Sequence, residues 1–121
     1  MPSPVAELHA TVLDCPDPEA LAAFYLAVTG WEVTYRSEEY VFIGMGDSHR
    51  IAFQRVTDHR PVRWPAEHAV AHLDFTADDP EQAATTLVAL GATRPSDQPG
   101  AGRWITLIDP AGHPLCLAPR D

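Results

Sequence analysis

The stretch "HLDFTADDPEQAATTLVALGA" (residues 72–92) passes from alternating apolar and polar residues, through an acidic turn, into helical spacing. An earlier stretch, "ATVLDCPDPEALAAFYLAVTG" (10–30), has the same plan in different letters. Asp17-Pro18-Glu19 returns 62 residues later as Asp79-Pro80-Glu81, and the same offset carries Asp47 onto Asp109, Phe53 onto Leu115 and Ala10 onto His72. Gly30 maps one residue short, at Gly91. One offset joining a first strand, a helix start and a last strand marks an internal duplication.

Each copy has a physical reading. Asp17 suits a helix N-cap, Pro18 the first helical position, and Glu19 the positive end of the helix dipole. Leu21, Phe24, Tyr25 and Val28 then fall on one helical face, and Gly30 ends the helix. In the second copy Asp79 caps, Pro80 starts, and Ala83, Ala84, Leu87 and Val88 supply the stripe before Gly91. After each helix the period changes to two. Trp31, Val33 and Tyr35 alternate with polar residues, and "YVFIGM" (40–45) and "RIAFQRV" (50–56) follow across a turn at Gly46-Asp47-Ser48. In copy two, "GRWITLI" (102–108) and "PLCLA" (114–118) flank Asp109-Pro110-Ala111-Gly112, with a weaker strand signal near 92–95.

These patterns predict an α+β fold of two βαβββ modules. Module one covers about 5–56 and module two 69–118, joined by a proline-containing surface connector, "TDHRPVRWPAEH" (57–68). A half of this size cannot bury its own sheet face, so the two are expected to pair as one domain over 1–121.

Bulk composition narrows the function. Seventeen acidic residues against eight basic give a net charge of −9, which repels phosphate backbones and anionic lipid and argues against nucleic-acid or membrane partners. All eight basic residues are arginine, so Schiff-base chemistry on lysine is excluded. The opening "MPSPVAELHA" has neither the basic patch nor the apolar run of a signal peptide, and the expected location is the cytoplasm. Cys15 and Cys116 are the only cysteines, and free thiols are the default.

The duplicated pattern, "DPEALAAFYLAVTGW", "RWP" (63–65), the stretch at 72–92 and "DPAGHPLCL" together resemble the vicinal oxygen chelate superfamily of glyoxalase, bleomycin-resistance and extradiol-dioxygenase proteins. Within it the chain is most similar to the small glyoxalase-like subgroup. The resemblance implies a curled mixed sheet around a concave pocket, in a homodimer. It also implies four inward positions that bind metal in some members, and these fall here at Ala10, Gln54, His72 and Cys116. The spacing within each pair is the same, 44 residues. Alanine has no donor, glutamine is a weak one, and the carboxylates that a hard-oxygen ion needs are missing. No metal and no cofactor are therefore expected. His9 is one residue off register, and alternation assigns it to the opposite face from position 10.

With His72 inward, parity turns Asp74 and Thr76 inward too, while Leu73, Phe75 and Ala77 pack beneath the helix. Cys116, Ala52 and Gln54 likewise go inward, and Leu115, Leu117, Ile51 and Phe53 to the core. Cys15 falls with the core-facing set. His72 is the candidate catalytic residue, although an i, i+2 spacing of roughly 6–7 Å leaves it without an obvious orienting partner. Gln54, Asp74, Cys116, Trp104, Trp64 and Tyr40 are the candidate ligand-binding residues, the aromatics suiting a flat apolar molecule. His49, His59 and His68 read as solvated, and His113 as bonded locally to its turn. Arg63 reads as an exposed side chain beside Glu67.

Three functions follow. The first is a bleomycin-resistance-like protein that binds or sequesters a partly aromatic small molecule. The second is a metal-free isomerase, lyase or hydrolase using His72 for proton transfer with Asp74 or Cys116. The third is a metal-dependent lyase or dioxygenase with rewired ligands.

Overall fold

A computed structural model describes residues 4–66 and 70–120 of the chain. They fall into two compact units, Met1–Thr57 and Asp58–Asp121. The first unit holds β1 (Thr11–Cys15), α1 (Pro18–Thr29), β2 (Glu32–Arg36), β3 (Tyr40–Met45) and β4 (His49–Arg55). The second holds β5 (Leu73–Ala77), α2 (Pro80–Ala89), β6 (Ile105–Ile108) and β7 (Pro114–Pro119). Each unit has its own mixed sheet, ordered β1-β4-β3-β2 in the first and β5-β7-β6 in the second. This is the α+β, βαβββ architecture expected from the repeat.

The helix starts behave as their sequences dictate. Asp17 accepts hydrogen bonds from the backbone N–H of Glu19 and Ala20 at 3.1 and 3.3 Å, and Asp79 accepts one from Gln82 at 3.1 Å. Each first-turn glutamate is then clasped by an arginine: Arg36 donates to Glu19 at 2.9 Å, and Arg94 to Glu81 at 2.8 Å. Gly30 ends α1 at φ 71°, a left-handed conformation that glycine adopts without cost.

In the first unit Tyr25, fully buried, stacks on Phe53 at 5.5 Å, with Phe24 edge-on to it at 5.0 Å. Val41, Ile43 and Cys15 complete that core. The second unit is sealed by aliphatic residues, Leu87 and Ala84 from α2 against Leu107, Leu115 and Leu117. Val88, predicted in the apolar stripe, stands 43% exposed, so the buried face of α2 narrows to Ala84 and Leu87.

The strand register corrects the single offset. Val12 pairs with Ala52, and Asp74 pairs with Cys116. First strands and helix starts keep the 62-residue offset, whereas the last strands are 64 apart, Ala52 to Cys116. Cys116 therefore answers to Ala52 and not to Gln54. Parity survives because the slip is two residues. The extra residues enter between α2 and β6, where the expected strand near 92–95 shrinks to one bridge, Thr93 to Ile108. Pro95 and Pro99 suit this stretch poorly to a ladder. A side chain takes the ladder's place: the Gln98 amide accepts from Thr106 N–H and donates to Thr106 C=O, both at 2.9 Å.

Candidate functional site

The open face of the second unit's sheet carries a row of three side chains. Asp74 on β5, Cys116 on β7 and Thr106 on β6 are consecutive ladder partners. Side chains at directly opposed positions share a face, so the row follows from register alone. Thr76 and Ala118 form the next row, and His72 stands just before β5.

This face is the floor of a cavity of about 530 Å³. Trp64, Pro99, Trp104 and Pro114 supply apolar walls. Trp104 precedes β6 instead of lying within it, and its ring rests on Gly100, where an added Cβ would lie 2.0 Å from the indole. Glycine at 100 is therefore what lets this wall stand. The Arg103 guanidinium lies 4.6 Å from the Trp104 ring centroid, a cation–π contact. Trp64 is fixed by its Nε1–H donating to Asp97 C=O at 3.0 Å.

The polar groups of the cavity gather at one place. His72 Nε2 lies 3.0 Å from Asp74 Oδ1. The sequence gives no sign of this contact, because Cβ atoms two apart on a strand diverge in position but their flexible side chains can lean together. An ionised carboxylate has no proton to give, so Nε2 is the donor and Nδ1 is left as the basic atom of the neutral ring. The Cys116 thiol shares a hydrogen bond with Thr106 Oγ1 at 3.5 Å. Burial pushes its pKa up and the Asp74 charge adds to this, while the Thr106 bond opposes, so at neutral pH it is a thiol. The donor atoms of His72, Asp74 and Cys116 all lie within 4.8 Å of one another.

The structure thus brings together His72, Asp74, Cys116, Trp104 and Trp64. Gln54 and Tyr40, the other two sequence candidates, are ladder partners on β4 and β3 of the first unit. There Phe42 is ringed by Tyr40, Tyr35 and His9, each with ring centroids 5.9 Å away. His9 precedes β1, so the alternation used to turn it away does not reach it, and its ring meets Phe42 on the face of Ala52. His59 is not simply solvated: its ring nitrogen bonds Ala111 C=O, and its ring lies 5.7 Å from that of His113. His113 N–H does bond locally, donating to Asp109 at 3.0 Å. His49 stacks on Trp31 at 5.9 Å. Glu67 and His68 lie outside the described residues.

Sequence reasoning missed Thr106 and Gln98. Thr106 was discoverable, because it sits opposite Cys116 once the hairpin is paired. Gln98 carried no signal, since its role depends on a side chain substituting for backbone.

The four positions that the resemblance assigns to a metal do not suit a hard-oxygen ion. Ala10 offers no donor, and neither Gln54 nor its register-corrected neighbour Ala52 offers a carboxylate.

Comparison with known proteins places this duplicated fold. The family model described as "Glyoxalase-like domain" matches residues 10–118, and the chain belongs to this family. No curated protein matches the chain. Among solved structures it is similar to a glyoxalase/bleomycin resistance protein/dioxygenase family enzyme of Burkholderia phytofirmans PsJN (TM-score 0.72, 18% identity, covering 94% of this chain and 98% of that one). It is also similar to the bleomycin-binding protein of Streptomyces verticillus, solved with copper(II)-bleomycin (0.59, 20%, 97% and 99%). A third is the lactoylglutathione lyase of Agrobacterium tumefaciens (0.60, 22%, 97% and 96%). At these identities the likeness is one of fold. Among the described residues no helix is long and apolar enough to cross a membrane.

Proposed function

We propose that the chain is a small-molecule-binding protein that takes a flat, partly aromatic metabolite or drug into the cavity of its second unit. The observation that carries this is the cavity's composition: about 530 Å³ walled by Trp64, Trp104, Pro99 and Pro114, with His72, Asp74, Cys116 and Thr106 clustered on its floor. Such a site gains affinity from apolar contact and orientation from a few polar atoms. A protein of the same fold that binds bleomycin supports the reading without naming the ligand. In this proposal the chain acts as a single glyoxalase-like domain in a cytoplasmic homodimer.

A second reading has one observation in its favour. His72 oriented by Asp74 at 3.0 Å is the pairing that a proton-transfer enzyme of the isomerase, lyase or hydrolase class requires.

The test is a thermal-shift screen of aromatic metabolites and antibiotics, followed by calorimetry on hits. Trp104→Ala is expected to weaken a hit by about tenfold or more, roughly 1.4 kcal/mol or above. A hit whose affinity ignores Trp104 overturns the assignment of the cavity. His72→Ala that abolishes turnover of a hit while leaving its binding intact establishes the second reading instead.

A further inference from the structure

We propose that His72, Asp74 and Cys116 form a site for one thiophilic divalent cation of the zinc class, built wholly within the second unit. The three donors are an imidazole nitrogen, a carboxylate oxygen and a sulfur, all within 4.8 Å of one another. A tetrahedral ion with bonds of about 2.0–2.3 Å sets its ligand atoms roughly 3.3–3.8 Å apart. His72 Nε2 and Asp74 Oδ1 are at 3.0 Å, so an ion would open that pair by a few tenths of an ångström while the wider spacings of the cluster, none above 4.8 Å, close around it.

The mobility needed is on the correct side of the cluster. Cys116 is fixed in β7 and 8% exposed, whereas the His72 and Asp74 side chains are 46% and 79% exposed and can turn toward it. On ligation the Cys116 thiol gives its proton to solvent, the His72 ring releases its Nε2 proton and takes one up on Nδ1 so that Nε2 is free to bind, and the thiolate and carboxylate together neutralise the ion's two charges. One carboxylate does not meet the six or more oxygens that calcium needs or the octahedral oxygen shell of magnesium, so nitrogen and sulfur select a softer ion. The fourth position opens on the cavity, free for water or for a donor atom of a bound molecule.

This site differs from the metal set that the resemblance implies. It keeps His72 and Cys116 of those four positions, replaces the two first-unit positions with Asp74, and requires nothing from the first unit. It also stands independently of the aromatic-ligand reading, because an ion binds there whether or not the apolar walls hold a molecule.

The experiment uses the full chain, stripped with a chelator. Zinc is titrated against a chromophoric competitor, and cobalt(II) is added separately to read thiolate-to-metal charge-transfer absorption in the near ultraviolet. The expected result is one ion per chain and a charge-transfer band. Cys15→Ala retains both, since Cys15 is a buried thiol of the first unit. Cys116→Ser removes the band, and His72→Ala and Asp74→Asn each weaken zinc by about tenfold or more. If Cys116→Ser does not fold, His72→Ala, at a half-exposed position, carries the test alone. Absence of the band in the unaltered chain, a band that depends on Cys15, or zinc affinity unchanged by His72→Ala overturns the proposal.

Discussion

The two units repeat one backbone plan and furnish it differently. At matched positions across the two sheets the first unit presents Val12, Ala52 and Phe42, where the second presents Asp74, Cys116 and Thr106. The residue preceding the shared offset is Ala10 in one and His72 in the other. A duplicated fold lets one copy keep apolar filler while the other accumulates titratable and nucleophilic groups. The ladder fixes where a side chain points but says little about what it must be: at this row the thiol and carboxylate stand in the second copy, while the first copy carries its polar side chains one row on, at Asp14, Gln54 and Tyr40.

The cores differ as well, and there the largest effect is expected. Tyr25→Ala removes a fully buried ring stacked on Phe53 and should cost about 3–5 kcal/mol in urea unfolding. Leu87→Ala, from the narrower aliphatic seal of α2, should cost about 2–3 kcal/mol. Equal losses would mean that the aromatic and aliphatic seals are equivalent.

Gln98 sharpens the contrast, because the first unit has a full β2 where the second has this side chain. Gln98→Ala strands the N–H and C=O of Thr106 and should cost about 1–3 kcal/mol, with faster amide exchange at Thr106. Unchanged exchange at that amide would show that water replaces the glutamine without penalty.

The smallest effect concerns the exposed arginine clasps, which both units share. The hydrogen bond from Arg94 holds the Glu81 carboxyl below its ordinary pKa. A depressed carboxyl stabilises the fold above the unfolded pKa, and that contribution is lost as pH falls through the folded pKa. Arg94→Gln should therefore lower the urea midpoint slightly at neutral pH and make no difference in strong acid. A difference that grows on acidification would contradict this linkage.

Much of this was legible in the sequence, for physical reasons. Asp17-Pro18 and Asp79-Pro80 announce helix starts because caps and first-turn prolines act locally, and alternation placed His72, Asp74 and Thr76 on one face because a strand's period is two. The register of the last strands was not legible, since the two residues separating offsets of 62 and 64 are absorbed in the segment holding Pro95 and Pro99. The His72–Asp74 contact was invisible for another reason: spacing fixes Cβ positions, and the approach is made by rotamers beyond them. His9 was turned to the wrong face because strand logic was applied to a residue just outside its strand, and Trp104 stands one residue before β6 although it lines the cavity as expected.

The most direct test of the proposed cation site is to write the first copy's residues into it. Asp74→Val with Cys116→Ala installs, at register-matched positions, what Val12 and Ala52 already show the plan to accept. Calorimetric zinc titration of this double variant is predicted to show a folded protein that no longer takes up an ion. Stoichiometric uptake at undiminished affinity would contradict the account.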